Sequence, residues 1–327
     1  MESLSLSSST SKSIVGYSNG TFGESHDHGE DDGFVENDPD AYFVAIFNDG
    51  TTFKNLIDYI RGMSKIGYFT LTKNKITHVQ SDDYNIWIND VTINVSDLPE
   101  YEFSSCYSKI VIGLELDRLK EHMKIGKKDG IRLYKLPRDD HIYVQDLISG
   151  STENRGVSFL LPVGLGEMKS YSDYKYDDKD EDSPNCVVVA NDLCRDFTQM
   201  YATKNNKAIF KGYTNGMTIT LDSLDGGGRF KQYGNINEAP QTNKLPLLTD
   251  ATIVVPKEKP KIIICNPDEI STVVVGIELI KLWIKLKNLA DTATVRFFFK
   301  RNKPMKIVSK IGYFGTLRIY VKNNNIR

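Results

Sequence analysis

The residue groups that could do chemistry in this chain are few, and each has a plainer structural meaning. Asp82-Asp83 could hold a divalent cation or share a proton in acid–base work, but the pair follows an alternating apolar run and reads first as the turn that ends a strand. His26 and His28 stand among Asp27, Glu30, Asp31 and Asp32, metal-ligand types placed in a stretch with little to bury. His78, His122 and His141 are dispersed, and none has a nearby nucleophile in a recognisable motif. There is no GxxxxGKS/T loop, and Gly164-Leu165-Gly166 lacks the third glycine and the helix start of a dinucleotide-binding turn. Asp225-Gly226-Gly227-Gly228-Arg229 could approach a phosphate but reads as a flexible hairpin. Cys106, Cys186, Cys194 and Cys265 show neither CxxC nor CxxH spacing, so all four read as packing residues in a reducing compartment. The expectation is a protein that is not an enzyme, holds no metal and needs no cofactor.

What remains is cationic. Four segments divide into an apolar and a polar face at helical spacing. Lys54, Asp58 and Arg61 lie opposite Phe53, Leu56, Ile57 and Ile60; Lys120, Lys124 and Lys127 or Lys128 lie opposite Leu116, Leu119 and Met123. Arg195 and Gln199 oppose Leu193, Phe197 and Met200; Lys281 and Lys285 oppose Leu279, Leu282 and Leu286, with Lys287 beside them. On one helix a lysine stripe is commonly just a solvated face. If all four apolar faces pack on sheets, all four basic stripes point to one side. The stripes hold few aromatic residues and no base-reading set of Asn, Gln and Arg, so they suit phosphates rather than base edges, in a contact that is sequence-neutral and salt-sensitive.

The charge balance supports a polyanionic partner. The 327 residues carry a formal net charge of -2, but residues 1–40 hold nine acids against Lys12 alone, and residues 167–182 hold seven acids against three lysines. The rest of the chain is therefore basic, with a net charge of +10. Apolar runs such as Val273-Val274-Val275-Gly276-Ile277 fall far short of the roughly 20 residues that span a bilayer, and the start of the chain is polar where a signal peptide would be apolar. Neither secretion nor membrane insertion is expected.

The organisation follows from composition and an internal repeat. Residues 1–40 read as a disordered acidic tail, 41–166 as a first domain, 167–182 as an acidic connector and 183–327 as a second domain. Val111–Lys124 aligns without gaps on Val274–Lys287, pairing Gly113 with Gly276, Glu115 with Glu278, Leu116 with Leu279 and Leu119 with Leu282. The following strands, Ile131–Tyr134 and Val295–Phe298, match after a slip of one residue. A second helix pair repeats its apolar spacing: Phe53, Leu56, Ile57, Ile60 and Met63 against Ala190, Leu193, Cys194, Phe197 and Met200. Alternation predicts strands from Tyr42–Asn48 through to Gly315–Val321, with Thr252–Pro256 and Ile262–Cys265 among them. Two helices per half cannot cover both faces of so many strands. The predicted class is α+β, two repeated units of antiparallel sheet with two helices each on the inner face.

These residues resemble a known family, the DNA polymerase sliding clamps of the proliferating cell nuclear antigen type, over about residues 41–327. Gly50–Arg61 is similar to the family's first helix, including two cations that face DNA there, here Lys54 and Arg61. Gln80-Ser81-Asp82-Asp83 resembles its Gln-Ser-Met-Asp loop, departing at Asp82 where the family often has an apolar residue. Cys194-Arg195-Asp196-Phe197 is similar to its Cys-Arg-Asp-Leu on the third helix, and Lys124 and Lys287 fall where it keeps lysines on the second and fourth. Lys303-Pro304-Met305 and Gly315–Val321 resemble its last strands.

The resemblance implies a head-to-tail homotrimeric ring with the helices lining a hole for duplex DNA. The DNA-facing set would be Lys54, Arg61, Lys120, Lys124, Arg195, Lys281, Lys285 and Lys287. Subunits would join through Gly156, Val157, Phe159 and Leu161 on one edge and Arg229, Phe230 and Tyr233 on the other. DNA polymerase and repair proteins would dock a short helical peptide at Ile88, Met168, Tyr171, Pro304 and Tyr320, and a loader could open the ring. Its place of work would be the site of DNA replication, in a nucleus or a viral replication compartment. The divergent connector and the long acidic tail suggest a diverged member, such as one from a large DNA virus, and the end Lys322–Arg327 is basic where the family's tail is acidic. Two rivals stand beside this reading: a clamp-like processivity factor that stays monomeric and grips DNA by charge, and a nucleic-acid enzyme with an acidic site at Asp82-Asp83.

Overall fold

Each half of the chain opens with a short strand that runs into an amphipathic helix. In β1 (Tyr42–Phe47) every second residue is buried, Phe43, Ala45 and Phe47 turning inward, as a sheet with one covered face requires. The Asp49 side chain then accepts a hydrogen bond from the Thr52 amide at 2.9 Å, which starts α1 (Gly50–Arg61). β10 (Cys186–Val189) leads in the same way into α3 (Ala190–Ala202). The repeated apolar positions Phe53, Leu56, Ile57 and Ile60 of α1 and Leu193, Cys194, Phe197 and Met200 of α3 are all buried. The structure, a computed structural model, describes residues 40–82, 86–123, 129–139, 141–147, 183–202, 207–221, 229–236, 269–289 and 294–322, and the backbone of 156–160. The expected tail, the connector and the strands Thr252–Pro256 and Ile262–Cys265 lie outside those residues.

The second repeated segment is also strand followed by helix. β6 (Lys109–Glu115) runs into α2 (Leu116–His122), and β14 (Glu269–Gly276) into α4 (Ile277–Trp283), which a 3-10 turn continues over Ile284–Asn288. The remaining strands of the first half are β2 (Ile66–Thr72), β3 (Lys75–Ser81), β4 (Trp87–Asn94), β5 (Glu100–Ser104), β7 (Gly130–Lys135), β8 (His141–Leu147) and β9 (Gly156–Leu160). Those of the second are β11 (Lys207–Tyr213), β12 (Gly216–Leu221), β13 (Phe230–Gly234), β15 (Thr294–Phe298), β16 (Met305–Ile311) and β17 (Gly315–Val321).

The strands form three sheets, ordered β5-β1-β7-β8-β9, β10-β15-β16-β17-β4-β3-β2-β6 and β13-β12-β11-β14. Every described ladder is antiparallel. The eight-stranded sheet crosses from one half to the other where β17 pairs with β4, from Gly315 opposite Ile93 to Val321 opposite Trp87. In the repeat β9 corresponds to β17 and β13 to β4, yet each of these pairs on one side only among the described residues. The α+β class, with antiparallel sheets and two helices per half on one face, is the one the sequence predicts.

The core is continuous between sheets and helices. Phe314, in the turn before β17, meets Phe47 of the first half edge-on with centroids 5.3 Å apart, and Phe47 stacks on Phe53 at 4.3 Å. Phe197, Phe210 and Trp283 make a matching aromatic group in the second half, with Trp283 6.0 Å from Phe197 and 5.8 Å from Phe210. No described helix is long and apolar enough to cross a membrane.

Candidate nucleic-acid interface

Helix packing decides where the cations sit. α1 packs on α2, α3 packs on α4, and the 3-10 turn after α4 lies against both α1 and α3. The four helices therefore form one layer, in the order α2, α1, α4, α3, across both halves. α1 ends at Gly62, where a Cβ would come within 2.8 Å of Leu282 Cδ1, so the two halves approach closely here. Asn55 of α1 donates to the Asn288 carbonyl at 3.1 Å across the same seam.

The expected cationic residues all lie on this layer, apart from Lys124, which is outside the described residues. They are not bare charges. Lys120 of α2 pairs with Asp58 of α1, and Lys285 pairs with the same carboxylate at 2.8 Å. Arg61 pairs with Asp117, and Arg195 with Asp192 at 3.0 Å. Lys54 donates to the Met123 carbonyl at 2.6 Å, Lys281 lies 5.7 Å from the centre of the Tyr201 ring, and Lys287 is exposed. Burial raises the Asp58 pKa, but the hydrogen bonds and charges of Lys285 and Lys120 outweigh it and hold the carboxyl below its usual range. Eight cations (Lys54, Arg61, Arg118, Lys120, Arg195, Lys281, Lys285 and Lys287) thus meet six acids (Asp58, Asp117, Glu121, Asp192, Asp196 and Glu278) over the described helices. The surface is cationic but only mildly, because carboxylates, Asp58 among them, stand between the basic positions of the four stripes. The missed signal was partly visible, since Asp192 and Arg195 are spaced i, i+3.

On the opposite face of the central sheet, Ile88 of β4, Phe298 of β15, Val308 of β16 and Tyr320 of β17 form a separate small apolar cluster. Ile88 and Tyr320 stand directly opposite each other in the ladder, so the structure brings together two of the residues expected to hold a partner peptide. Both are almost fully covered, at 1% and 4% exposed, and Pro304 is buried too. Phe298, Val308 and the buried Lys306, whose Nζ lies 5.4 Å from the Phe298 ring centre, join them without having been foreseen. Met168 and Tyr171 are outside the described residues.

No protein-family model matches the chain, and no curated protein matches it either. Solved structures do. The proliferating cellular nuclear antigen of Entamoeba histolytica superposes with a TM-score of 0.63 at 14% identity, over 86% of this chain and 98% of that one. The PCNA2–PCNA3 complex of Sulfolobus tokodaii gives a TM-score of 0.63 at 12% identity, over 86% of this chain and 99% of that one. The chain has the sliding-clamp fold.

Within that clamp fold the two one-sided strands carry the residues expected at a subunit boundary. Gly156, Val157 and Phe159 lie in β9, and Leu161 falls outside the described residues. On β13 Phe230 is 40% exposed, while Tyr233 donates its hydroxyl to Asp196 Oδ2 at 2.7 Å and Lys231 pairs with Asp196 at 3.0 Å. Arg229, just before β13, donates to the Gln199 carbonyl at 3.3 Å. The clamp's edge strand is thereby fastened to α3.

The other chemical candidates resolve simply. Asp82 Oδ1 accepts from the amides of Ile86 at 2.6 Å and Trp87 at 3.1 Å, the strand-end turn expected of it, while Asp83 lies outside the described residues. Among the described residues no group of three or more His, Cys, Asp and Glu is placed to hold a metal ion. Cys186 and Cys194 are buried, but Cys106 is exposed, which corrects its reading as a packing residue; it lies in the polar turn between β5 and β6.

Proposed function

We propose that this chain is a non-enzymatic DNA sliding clamp whose copies close head to tail into a ring of three around duplex DNA and tether a polymerase and other replication or repair proteins. The observation that carries the reading is the junction of β17 with β4. The repeat places β9 and β13 in the corresponding positions, so β9 of one copy can pair with β13 of the next as β17 pairs with β4 inside the chain. Such a contact uses two different surfaces and closes into a ring when the rotation permits. Closure also covers two sheet edges that would otherwise template aggregation.

The helix layer supports the same reading. Its four helices would line the hole, presenting a mild excess of cations to phosphates. The interleaved carboxylates favour a ring over a monomer that grips DNA by charge alone, because a surface this nearly neutral binds a polyanion weakly unless topology retains it. Ile88, Tyr320 and Pro304, with Met168 and Tyr171, are the proposed docking site for a partner's helical peptide.

Native mass spectrometry tests the assembly. We expect a species of three 37.0 kDa chains, and Phe230→Glu, which puts a charge on the exposed edge of β13, should shift it toward monomer. A chain that stays monomeric at micromolar concentration contradicts the ring.

A further inference from the structure

Asp58 has an unusual set of neighbours. Its carboxylate takes an ion pair from Lys120 of α2 and another, at 2.8 Å, from Lys285 of the 3-10 turn after α4. Arg61, one helical turn on, lies 3.7 Å away and is itself paired with Asp117. Cations from three helices and from both halves of the chain therefore converge on one acid. All remain partly open to solvent, with side-chain exposures of 27% for Asp58, 36% for Lys120, 34% for Lys285 and 41% for Arg61.

We propose that Asp58 takes, inside the protein, the place that a DNA phosphate would take between Lys120 and Lys285, and that this built-in competitor sets how loosely the clamp holds the duplex. The proposal rests on the DNA-encircling reading. A carboxylate and a phosphate diester are both oxyanions that accept charge-assisted hydrogen bonds from ammonium groups. In a partly exposed site a single ion pair adds little stability, so exchanging one oxyanion for the other is nearly balanced. Contacts to successive phosphates then form and break without a deep minimum at any position, which is what movement along DNA requires. Without the carboxylate the two ammonium groups would lose the counter-charge they share and would hold a phosphate more tightly.

A purely structural role for Asp58, as a fastener between the halves, makes a different forecast. The seam has other ties: Lys285 also donates to the Asp58 main-chain carbonyl at 2.8 Å, and Asn55 donates to Asn288 at 3.1 Å. Asp58→Asn keeps both and should leave the assembly and its melting behaviour nearly unchanged.

The test measures retention of the full-length protein on nicked circular duplex DNA as a function of salt. Each phosphate contact contributes about 0.9 to the slope of log affinity against log salt, so freeing two lysines should steepen the slope by about 2 and add roughly tenfold to the loss between 50 and 200 mM. Diffusion of the labelled protein along DNA should slow. Asp58→Ser should repeat the result, and adding Lys120→Gln and Lys285→Gln to Asp58→Asn should abolish the gain. The control is Lys281→Ala with Lys287→Ala, which does not touch Asp58 and should make the slope shallower. If the wild type is not retained on circular DNA at all, the encircling reading falls and this proposal with it. If the wild type is retained and the control behaves as stated, but Asp58→Asn and Asp58→Ser leave the slope unchanged or shallower, the proposal for Asp58 alone is overturned.

Discussion

Tyr233, on β13, which pairs on one side only among the described residues, donates its hydroxyl to the carboxylate of Asp196 on α3 at 2.7 Å. The edge proposed to meet the next subunit is thus held by the helix layer proposed to face DNA. Tyr233→Phe removes the bond but keeps the ring, and should cost about 1.5–3 kcal/mol in urea unfolding, as for a hydrogen bond to a charged group. Burial first, and then the Asp196 hydrogen bond and charge, raise the Tyr233 pKa above its ordinary 10.0. A folded-state pKa raised in this way means stability is full below pH 10 and declines as the pH climbs past it. Tyr233→Phe should show less of that alkaline loss; an identical loss would mean that Tyr233 is not its source.

Gly212 and Phe299 share one space. A Cβ at Gly212 would lie 2.0 Å from Phe299 Cγ, beside the bulge where β11 pairs with β14. Gly212→Ala should therefore cost about 3 kcal/mol or more. Combining it with Phe299→Ala should recover at least about 1 kcal/mol relative to the sum of the two single changes. Additive melting data would show that the contact is not what limits that position.

His78 supplies a window at mild acid. It is 2% exposed, its ring packs on Phe69, and its Nδ1 donates to the Tyr68 carbonyl at 2.8 Å. Burial lowers its pKa below the ordinary 6.5, against the smaller opposing pull of its hydrogen bonds. Stability is therefore complete above pH 6.5 and is lost as the pH falls below it, because the unfolded chain takes up the proton first. His78→Gln should flatten the stability curve between about pH 6.5 and 5. An unchanged slope would place the acid sensitivity elsewhere.

Arg195 separates DNA contact from folding. Its ion pair with Asp192 is exposed on both sides, at 64% and 50%, so Arg195→Ala should cost less than about 1 kcal/mol of stability. The same change should weaken DNA retention and lower its salt dependence by about 1. Loss of the assembly instead would mean that Arg195 faces a subunit boundary.

Tyr320 tests the outer face of the sheet. Tyr320→Ala, with or without Met168→Ala, should weaken a partner's clamp-binding peptide by tenfold or more in a fluorescence titration while DNA encirclement persists. Unchanged affinity would move the docking site away from the Ile88–Tyr320 cluster.

The local parts of this architecture were legible in the sequence because they depend on short spacings. Phe53, Leu56, Ile57 and Ile60 mark α1 without reference to anything distant, and the match of Leu116 and Leu119 with Leu279 and Leu282 locates the second helix of each half. β10 was harder: Val187–Val189 adjoin a strong helix pattern, and only pairing with Val295 and its neighbours makes them a strand. The charge network was hidden for the same reason. Lys120 stands 62 residues from Asp58 and Lys285 stands 227 residues from it, so no local pattern joins them. Cys106 misled because cysteine is usually buried, whereas here it stands in an exposed bend with Tyr107 and Ser108.

The central claim is that DNA is held by enclosure, and topology tests it directly. The protein is placed on a nicked plasmid in moderate salt, and the plasmid is then cut once by a restriction enzyme. The account predicts stable retention on the circle and release within minutes of the cut, as the ring slides off the free ends. Equal retention on circular and linear DNA, falling with salt alike in both, would contradict it.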